Sequence, residues 1–389
     1  MNMFTASVKT LMALVVSAGV AAQPSIVPAP PAIAAPSYIL MDANSGAILM
    51  SGNPDQQMPP ASLSKMMTSY VAEVELAAGR LSLDDRVRVS EKAWRTGGSK
   101  MFVLVNDEVR VEDLMRGIVI QSGNDASIAI AEHLAGDEAN FAIMMNQYAQ
   151  QMGMTQTHFG NSTGLPASMT ELDSGHTTAR DMALLAQRKV QDHPQFYSWY
   201  GEREFTFANI TQANRNRLLW QNPAVDGLKT GFTEDSGYSL VASAEQDGMR
   251  LVTAVMGAAT PDIRFTETQK MLGYGFRFFT TPQLYSANEV VQEVRVWGGQ
   301  QDALQLGLSE TLFVTIPQGS RPELRQQITL AEPIQAPVTE GQVMGRIVLT
   351  QGERVLADQP LIALQGIAQG GMIKRGADRL RRMFHEFTQ

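Results

Sequence analysis

Ser62 and Lys65 stand three residues apart at the head of an apolar helical pattern. A serine hydroxyl is a weak nucleophile until something takes its proton, and an amine held unprotonated one turn away can do so. Met66, Met67, Tyr70, Val71, Val74, Ala77 and Ala78 follow the i, i+3, i+4, i+7 spacing of one buried face. That spacing predicts a helix ending near Gly79, with Ser62 and Lys65 pointing the same way. Pro60 sits just ahead of it, where a proline ring is tolerated. Alone, the pair also fits a serine that merely caps a helix. Ser122-Gly123-Asn124 falls in a break between two helical patterns, and Lys229-Thr230-Gly231 opens a strand-like region. Each of these, taken singly, is an ordinary polar turn or a common tripeptide.

These residues need elements to hold them. Lys9 precedes an apolar run, Leu11 to Val20, that ends in small residues before Gln23 and Pro24. This predicts an export signal, residues 1–22, too short to span a bilayer comfortably. A proline-rich lead-in (24–36) is followed by a hairpin of Ser37–Asp42 and Ala47–Met50 about an Asn44-Ser45-Gly46 turn. Helical patterns occupy 111–120, 125–134 and 137–152, and Thr178 with Asp181 resembles a capping box. Strand-like runs at 204–207, 239–243 and 251–256 precede a helix over 265–279. Strands early and late with helices between predict one α/β (α+β) catalytic domain over 23–282, whose sheet joins both ends of the segment.

After Pro282 short alternating runs, among them 294–297, 312–316, 347–349 and 361–364, predict a small β-sandwich-type domain over 283–368 for spacing or partner contact. The last segment, 369–389, places Met372, Ile373, Gly376, Leu380, Met383, Phe384 and Phe387 on one helical face. Lys374, Arg375, Arg379, Arg381 and Arg382 occupy the rest, a basic cluster in a chain of net charge −8. A basic amphipathic helix of this kind suits an anionic membrane surface, and residues 371–389 are expected to lie on one; the other reading is a helix packed on the protein.

The acidic balance makes nucleic acid an unsuitable partner. With no cysteine, thiol catalysis, disulfides and cysteine-based metal sites are excluded. His133, His158, His176 and His193 show no metal-ligand spacing, so no metal or other cofactor is expected. Asp226 reads as a turn or hydrogen-bond acceptor.

Ser-x-x-Lys, Ser-x-Asn and Lys-Thr-Gly, in that order in an exported chain, form the signature of β-lactamases and penicillin-binding proteins. Residues 37–40, 61–71, 121–126 and 273–279 further resemble the low-molecular-mass D-alanyl-D-alanine carboxypeptidases of the penicillin-binding protein 5 type, nearly end to end over the mature chain. The resemblance implies a β-lactamase/transpeptidase-like catalytic domain that removes the terminal D-alanine from peptidoglycan pentapeptide stems and is acylated by β-lactams. It implies Ser62 as acyl-ester nucleophile, Lys65 as general base under pressure from burial and Lys229, Ser122 as proton relay, and Asn124 as an orienting group. Lys229, Thr230, Gly231 and Arg264 would meet the substrate carboxylate, with backbone N–H groups of Ser62 and Phe232 as oxyanion hole. Two departures bear on substrate fit and tempo: Phe232 stands where close relatives have histidine, and the loop at 95–101 is shorter. The implied location is the periplasmic face of the bacterial inner membrane, with cell-wall enzymes as partners of the β domain. A β-lactamase or a catalytically weak penicillin-binding scaffold are the rival readings; the first lacks a clear glutamate motif, and the intact constellation argues against the second.

Overall fold

The computed structural model describes residues 27–319, 324–330 and 333–386. The expected export signal and Phe387 lie outside the described residues, as do the side chains of Met383 and Phe384.

The first lobe is organised by an antiparallel sheet of five strands in the order Ile48–Gly52, Ser37–Asp42, Met249–Ala258, Gly237–Gln246, Val225–Thr233. The first strand pairs with Met249–Ala258 from Ser37↔Met256 to Asp42↔Leu251, so the two ends of the segment meet as the sequence predicts. Alternation buries both faces. Ile39, Met41, Val252 and Ala254 join the core beneath the helical region, while Leu40, Leu251, Val255 and Leu240 pack with Phe265, Met271 and Leu272 of helix Pro261–Phe278. The strand bearing Lys229 is an edge strand, so one row of its backbone groups is left unpaired by the sheet.

Helix Ser64–Ala77 is buried from Ser64 through Glu73 and is preceded by a 3-10 turn, Ala61–Leu63, that carries Ser62. The pattern at 111–120 resolves into helix Val111–Arg116 and a π turn, Gly117–Gln121, ending in Ser122. Helices Asn124–Ala135, Glu138–Gln151 and Ala179–Asp192 complete the helical region. Thr178 Oγ1 caps the last of these by accepting the Asp181 N–H at 3.1 Å. The reciprocal half of the expected capping box is missing, because the Asp181 carboxylate accepts from the Gln156 N–H and the Thr157 hydroxyl. The run at Glu204–Phe207 is a strand as expected, and it pairs with Ile210–Ala213 in a separate hairpin outside the main sheet.

The second lobe is one five-stranded antiparallel sheet, ordered Val290–Arg295, Ala303–Gly307, Arg354–Ala363, Val343–Gln351, Leu324–Leu330. The run at 312–316 is divided, because Val314 turns aside to donate its N–H to the Pro282 carbonyl. Its two short pieces make ladders with Gln283–Tyr285 and Phe279–Thr280, and Leu312 and Ile316 close a core on Ile347, Leu349 and Leu361. A chain of hydroxyls joins the lobes: Thr315 Oγ1 lies 2.6 Å from Ser45 Oγ and 2.8 Å from Thr281 Oγ1, and both of those hydroxyls donate to buried Asp42.

Helix Met372–Glu386 follows. Its polar side is seated on the second lobe, where buried Asp378 accepts the Gly298 N–H at 3.0 Å and Lys374 pairs with Asp302 at 3.0 Å. Met372, Ile373 and Leu380 are exposed. Among the described residues no helix is long and apolar enough to cross a membrane.

Candidate active site

Two backbone departures place the first catalytic candidates. Ala61, just before Ser62, has φ +47°, and Ser122, at the end of the π turn, has φ +63°. Non-glycine residues rarely hold this left-handed region, and where they do the surroundings enforce it. Gly164, at φ +74°, packs beneath: a Cβ there would lie 1.7 Å from the Ala61 carbonyl oxygen.

Lys65 Nζ lies 3.1 Å from Ser62 Oγ and donates to the Thr163 carbonyl at 2.8 Å. The Thr163 loop is held by Asn161, whose Oδ1 accepts from the Thr163 N–H, the Thr163 hydroxyl and the Gly164 N–H. Glu138 secures the same loop by accepting from both the N–H and the hydroxyl of Ser162. Burial lowers the Lys65 amine to about 7, and the Arg215 guanidinium pushes the same way against the opposing pull of Asp125 and Glu138. Arg215 is thus a cation acting on Lys65 that joins the expected Lys229. Burial holds Lys229 well below its ordinary value, with Lys65, Arg215 and Arg264 adding to it, so the two buried amines act on each other.

Ser62, Ser122, Thr230, Gly231, Phe232 and Arg264 all line one cavity of about 420 Å³. Lys65, Lys229 and Asn124 stand behind its wall, each nearly inaccessible. Lys229 Nζ donates to the Thr230 carbonyl at 3.1 Å. Asn124 donates its amide to the Gly97 carbonyl at 2.7 Å, while its Oδ1 and the Ser122 hydroxyl have no protein partner among the described residues. Arg264 reaches in from helix Pro261–Phe278, donates to the Gly231 and Ser239 carbonyls, and stands 5.5 Å from the Tyr238 ring. Burial and the neighbouring Arg217 lower it to about 10. At Gly231 a Cβ would come within 3.1 Å of Leu63 and 3.3 Å of the Pro60 carbonyl, so glycine lets the edge strand approach the serine turn this closely without displacing either. Phe232 is half exposed at the rim and stacks on Tyr238 with centroids 4.2 Å apart.

Sequence reasoning missed Arg215 and Arg217, which line the cavity with Asn214. The faint signal is the alternation Asn214-Arg215-Asn216-Arg217. Buried Asn214 and Asn216 pin the segment to the Tyr200, Glu202 and Gly227 carbonyls, leaving Arg215 between them and Arg217 just after them for the cavity. Asp226 is structural, accepting from the Tyr197 hydroxyl and Arg250. Among the described residues no cluster of three or more histidine, aspartate or glutamate side chains could hold a metal.

A helix-flanked antiparallel sheet with these three motifs around one cavity defines the class of active-site-serine enzymes that includes penicillin-binding proteins. Comparison with known proteins narrows this. Residues 24–260 match the D-alanyl-D-alanine carboxypeptidase family and residues 279–369 match the penicillin-binding protein 5 C-terminal domain. The D-alanyl-D-alanine carboxypeptidase DacC of Escherichia coli K12 is 43% identical over 365 residues, covering 92% of this chain and 90% of that protein. Penicillin binding protein 5 from Haemophilus influenzae is similar in structure, with TM-score 0.80, 42% identity, and 88% of this chain and 99% of that one covered. Penicillin-binding protein D2 from Listeria monocytogenes, in its ampicillin-bound form, matches at TM-score 0.58 and 29% identity over 63% of this chain and 98% of its own. The chain belongs to the D-alanyl-D-alanine carboxypeptidase family.

Proposed function

We propose that this protein is a serine D-alanyl-D-alanine carboxypeptidase acting on peptidoglycan pentapeptide stems. The observation that carries the reading is the Lys65 amine, held near neutrality and 3.1 Å from Ser62 Oγ at the wall of a cation-lined cavity. Neutral Lys65 takes the Ser62 proton as Oγ attacks the carbonyl carbon of the penultimate D-alanine. The oxyanion is held by the N–H groups of Ser62 and of Phe232 on the edge strand. The terminal carboxylate meets Thr230 and Arg264 in the cavity, with Lys229 behind them; its negative charge favours the protonated form of that lysine. Gly231 keeps the strand close to the serine, and Asn124 Oδ1 is free to accept from the substrate amide.

Ser122, its hydroxyl unpartnered, passes the proton from Lys65 to the departing nitrogen, and D-alanine leaves. Lys65 then takes a proton from water. The hydroxide attacks the acyl carbon, and Ser62 Oγ departs with the proton. No cofactor enters any step. β-Lactams acylate the same serine through the first half of this sequence.

The remaining assignments belong to the same reading. Residues 1–22 are a signal peptide, the catalytic domain spans 23–282, the β domain 283–368, and 369–389 form the membrane anchor. Exposed Met372, Ile373 and Leu380 beside a basic polar side suit attachment to the periplasmic face of the inner membrane. There the enzyme trims cell-wall stems and so influences cell shape, with the β domain as spacer and contact for other cell-wall enzymes.

The test is D-alanine release from a diacyl-D-Ala-D-Ala peptide, run beside mass spectrometry of the penicillin-treated protein over time. Release together with an adduct on Ser62 is expected, and Ser62→Ala should lose both. An adduct on any other residue would overturn the mechanism, and labelling without release would favour a slow scaffold.

A further inference from the structure

Trp94 near the end of helix Glu91–Arg95, Phe102, Leu104 and Val105 on the loop that follows it, and Met169 expose large apolar side chains, each between 37 and 60% accessible. An exposed apolar group of this size marks an interaction surface. The loop is not slack. Met101 and Val103 alternate inward and are buried. The Asp125 carboxylate, at the start of the helix that follows Ser122, accepts from the backbone N–H groups of Met101, Phe102 and Val103 at 3.0, 2.9 and 3.3 Å. Gln212 ties the Lys100 carbonyl to the hairpin at 3.0 Å, and Lys100 donates to the Trp94 carbonyl. Phe102 sits at φ +70°, a conformation costly for a bulky residue. Burial does not explain the cost, since the Phe102 ring faces solvent. Met169 reaches the same lip, its methyl 3.5 Å from where a Cβ on Gly97 would stand.

The lip is continuous with the cavity. Ser99 lines it, the Ser99 carbonyl accepts the Asn124 N–H at 2.7 Å, and the Gly97 carbonyl accepts the Asn124 amide. In the proposed reaction the carboxylate end of the substrate meets Thr230 and Arg264, which line the cavity from the edge strand and helix Pro261–Phe278. The chain on the amino side of the scissile bond therefore leaves past Ser122 and Ser99, across this lip. We propose that Trp94, Phe102, Leu104, Val105 and Met169 form the docking surface for the rest of the muropeptide: the stem residues before D-Ala-D-Ala and the sugar ring that bears them. Aromatic faces suit the C–H faces of a pyranose, and a locked loop presents them with little ordering cost. This rests on the carboxypeptidase reading.

The experiment compares kcat/KM for a diacyl-D-Ala-D-Ala peptide and for a disaccharide pentapeptide, in the intact enzyme and in Trp94→Ala/Phe102→Asn. Asparagine tolerates the positive φ at 102, so the loop keeps its shape. The double variant should lose about tenfold on the disaccharide pentapeptide, on the scale of one or two stacked aromatic contacts, through KM. It should stay within about twofold on the small peptide and label normally with fluorescent penicillin. Equal loss on both substrates, or no loss on either, overturns the docking surface. If the intact enzyme releases D-alanine from neither, the carboxypeptidase reading itself falls, a result distinct from the first two.

Discussion

At the scale of single residues, the proposed chemistry turns on how the Lys65 amine is discharged. Burial lowers it to about 7 and Arg215 adds to the effect. Only the neutral amine can take the Ser62 proton, so acylation by fluorescent penicillin should rise with pH through about 7 and level off above it. Arg215→Gln removes a repelling cation, which raises the Lys65 pKa and moves the rising limb to higher pH. Stopped-flow acylation rates across pH 5–10 read this directly; a limb that stays in place would show that Arg215 does not act on the base. Ser62 and Lys65 were legible because a covalent mechanism needs both types one helical turn apart, a local relation. Arg215 was not, because its proximity to Lys65 arises from a loop 150 residues away, pinned by buried asparagines.

At the scale of elements, the serine turn is held from below. The Asn161-to-Gly164 loop brings the Thr163 carbonyl to Lys65 and sets Gly164 against Ala61. Gly164→Ala would need a positive φ and would drive its Cβ into the Ala61 carbonyl, so the loop or the serine turn must shift. The expected cost is about 3 kcal/mol or more, read as a lower urea midpoint, with penicillin acylation falling in the fraction that still folds. An unchanged midpoint would mean the loop does not support the nucleophile. Helix and strand existence followed from apolar periodicity. The left-handed Ala61, Ser122 and Phe102 did not, since their conformations are imposed by tertiary contacts that local propensity disfavours. The strand at Glu204–Phe207 was legible but its partner Ile210–Ala213 was not, because strand-like alternation reports a half-buried ribbon and not what it pairs with.

At the scale of the whole molecule, the Asp42, Ser45, Thr281 and Thr315 hydroxyl chain joins the catalytic lobe to the second lobe, on which helix Met372–Glu386 is seated. The active site is thereby tied to the proposed anchor. Deleting residues 371–389 should leave D-alanine release from a soluble peptide unchanged and abolish co-sedimentation with anionic vesicles; a truncated protein that still sediments would place the membrane contact elsewhere. By itself the sequence determined the reaction class, the proposed nucleophile and base, the two-lobe order and the amphipathic tail, because each depends on residue types at short, regular spacing. Tertiary structure alone decided that Arg215 also acts on Lys65, how Asp125 locks the exposed loop after Lys100, and in which register Ser37–Asp42 meets Met249–Ala258. Those depend on groups far apart in the chain, brought together only when burial of both sheet faces selects one packing.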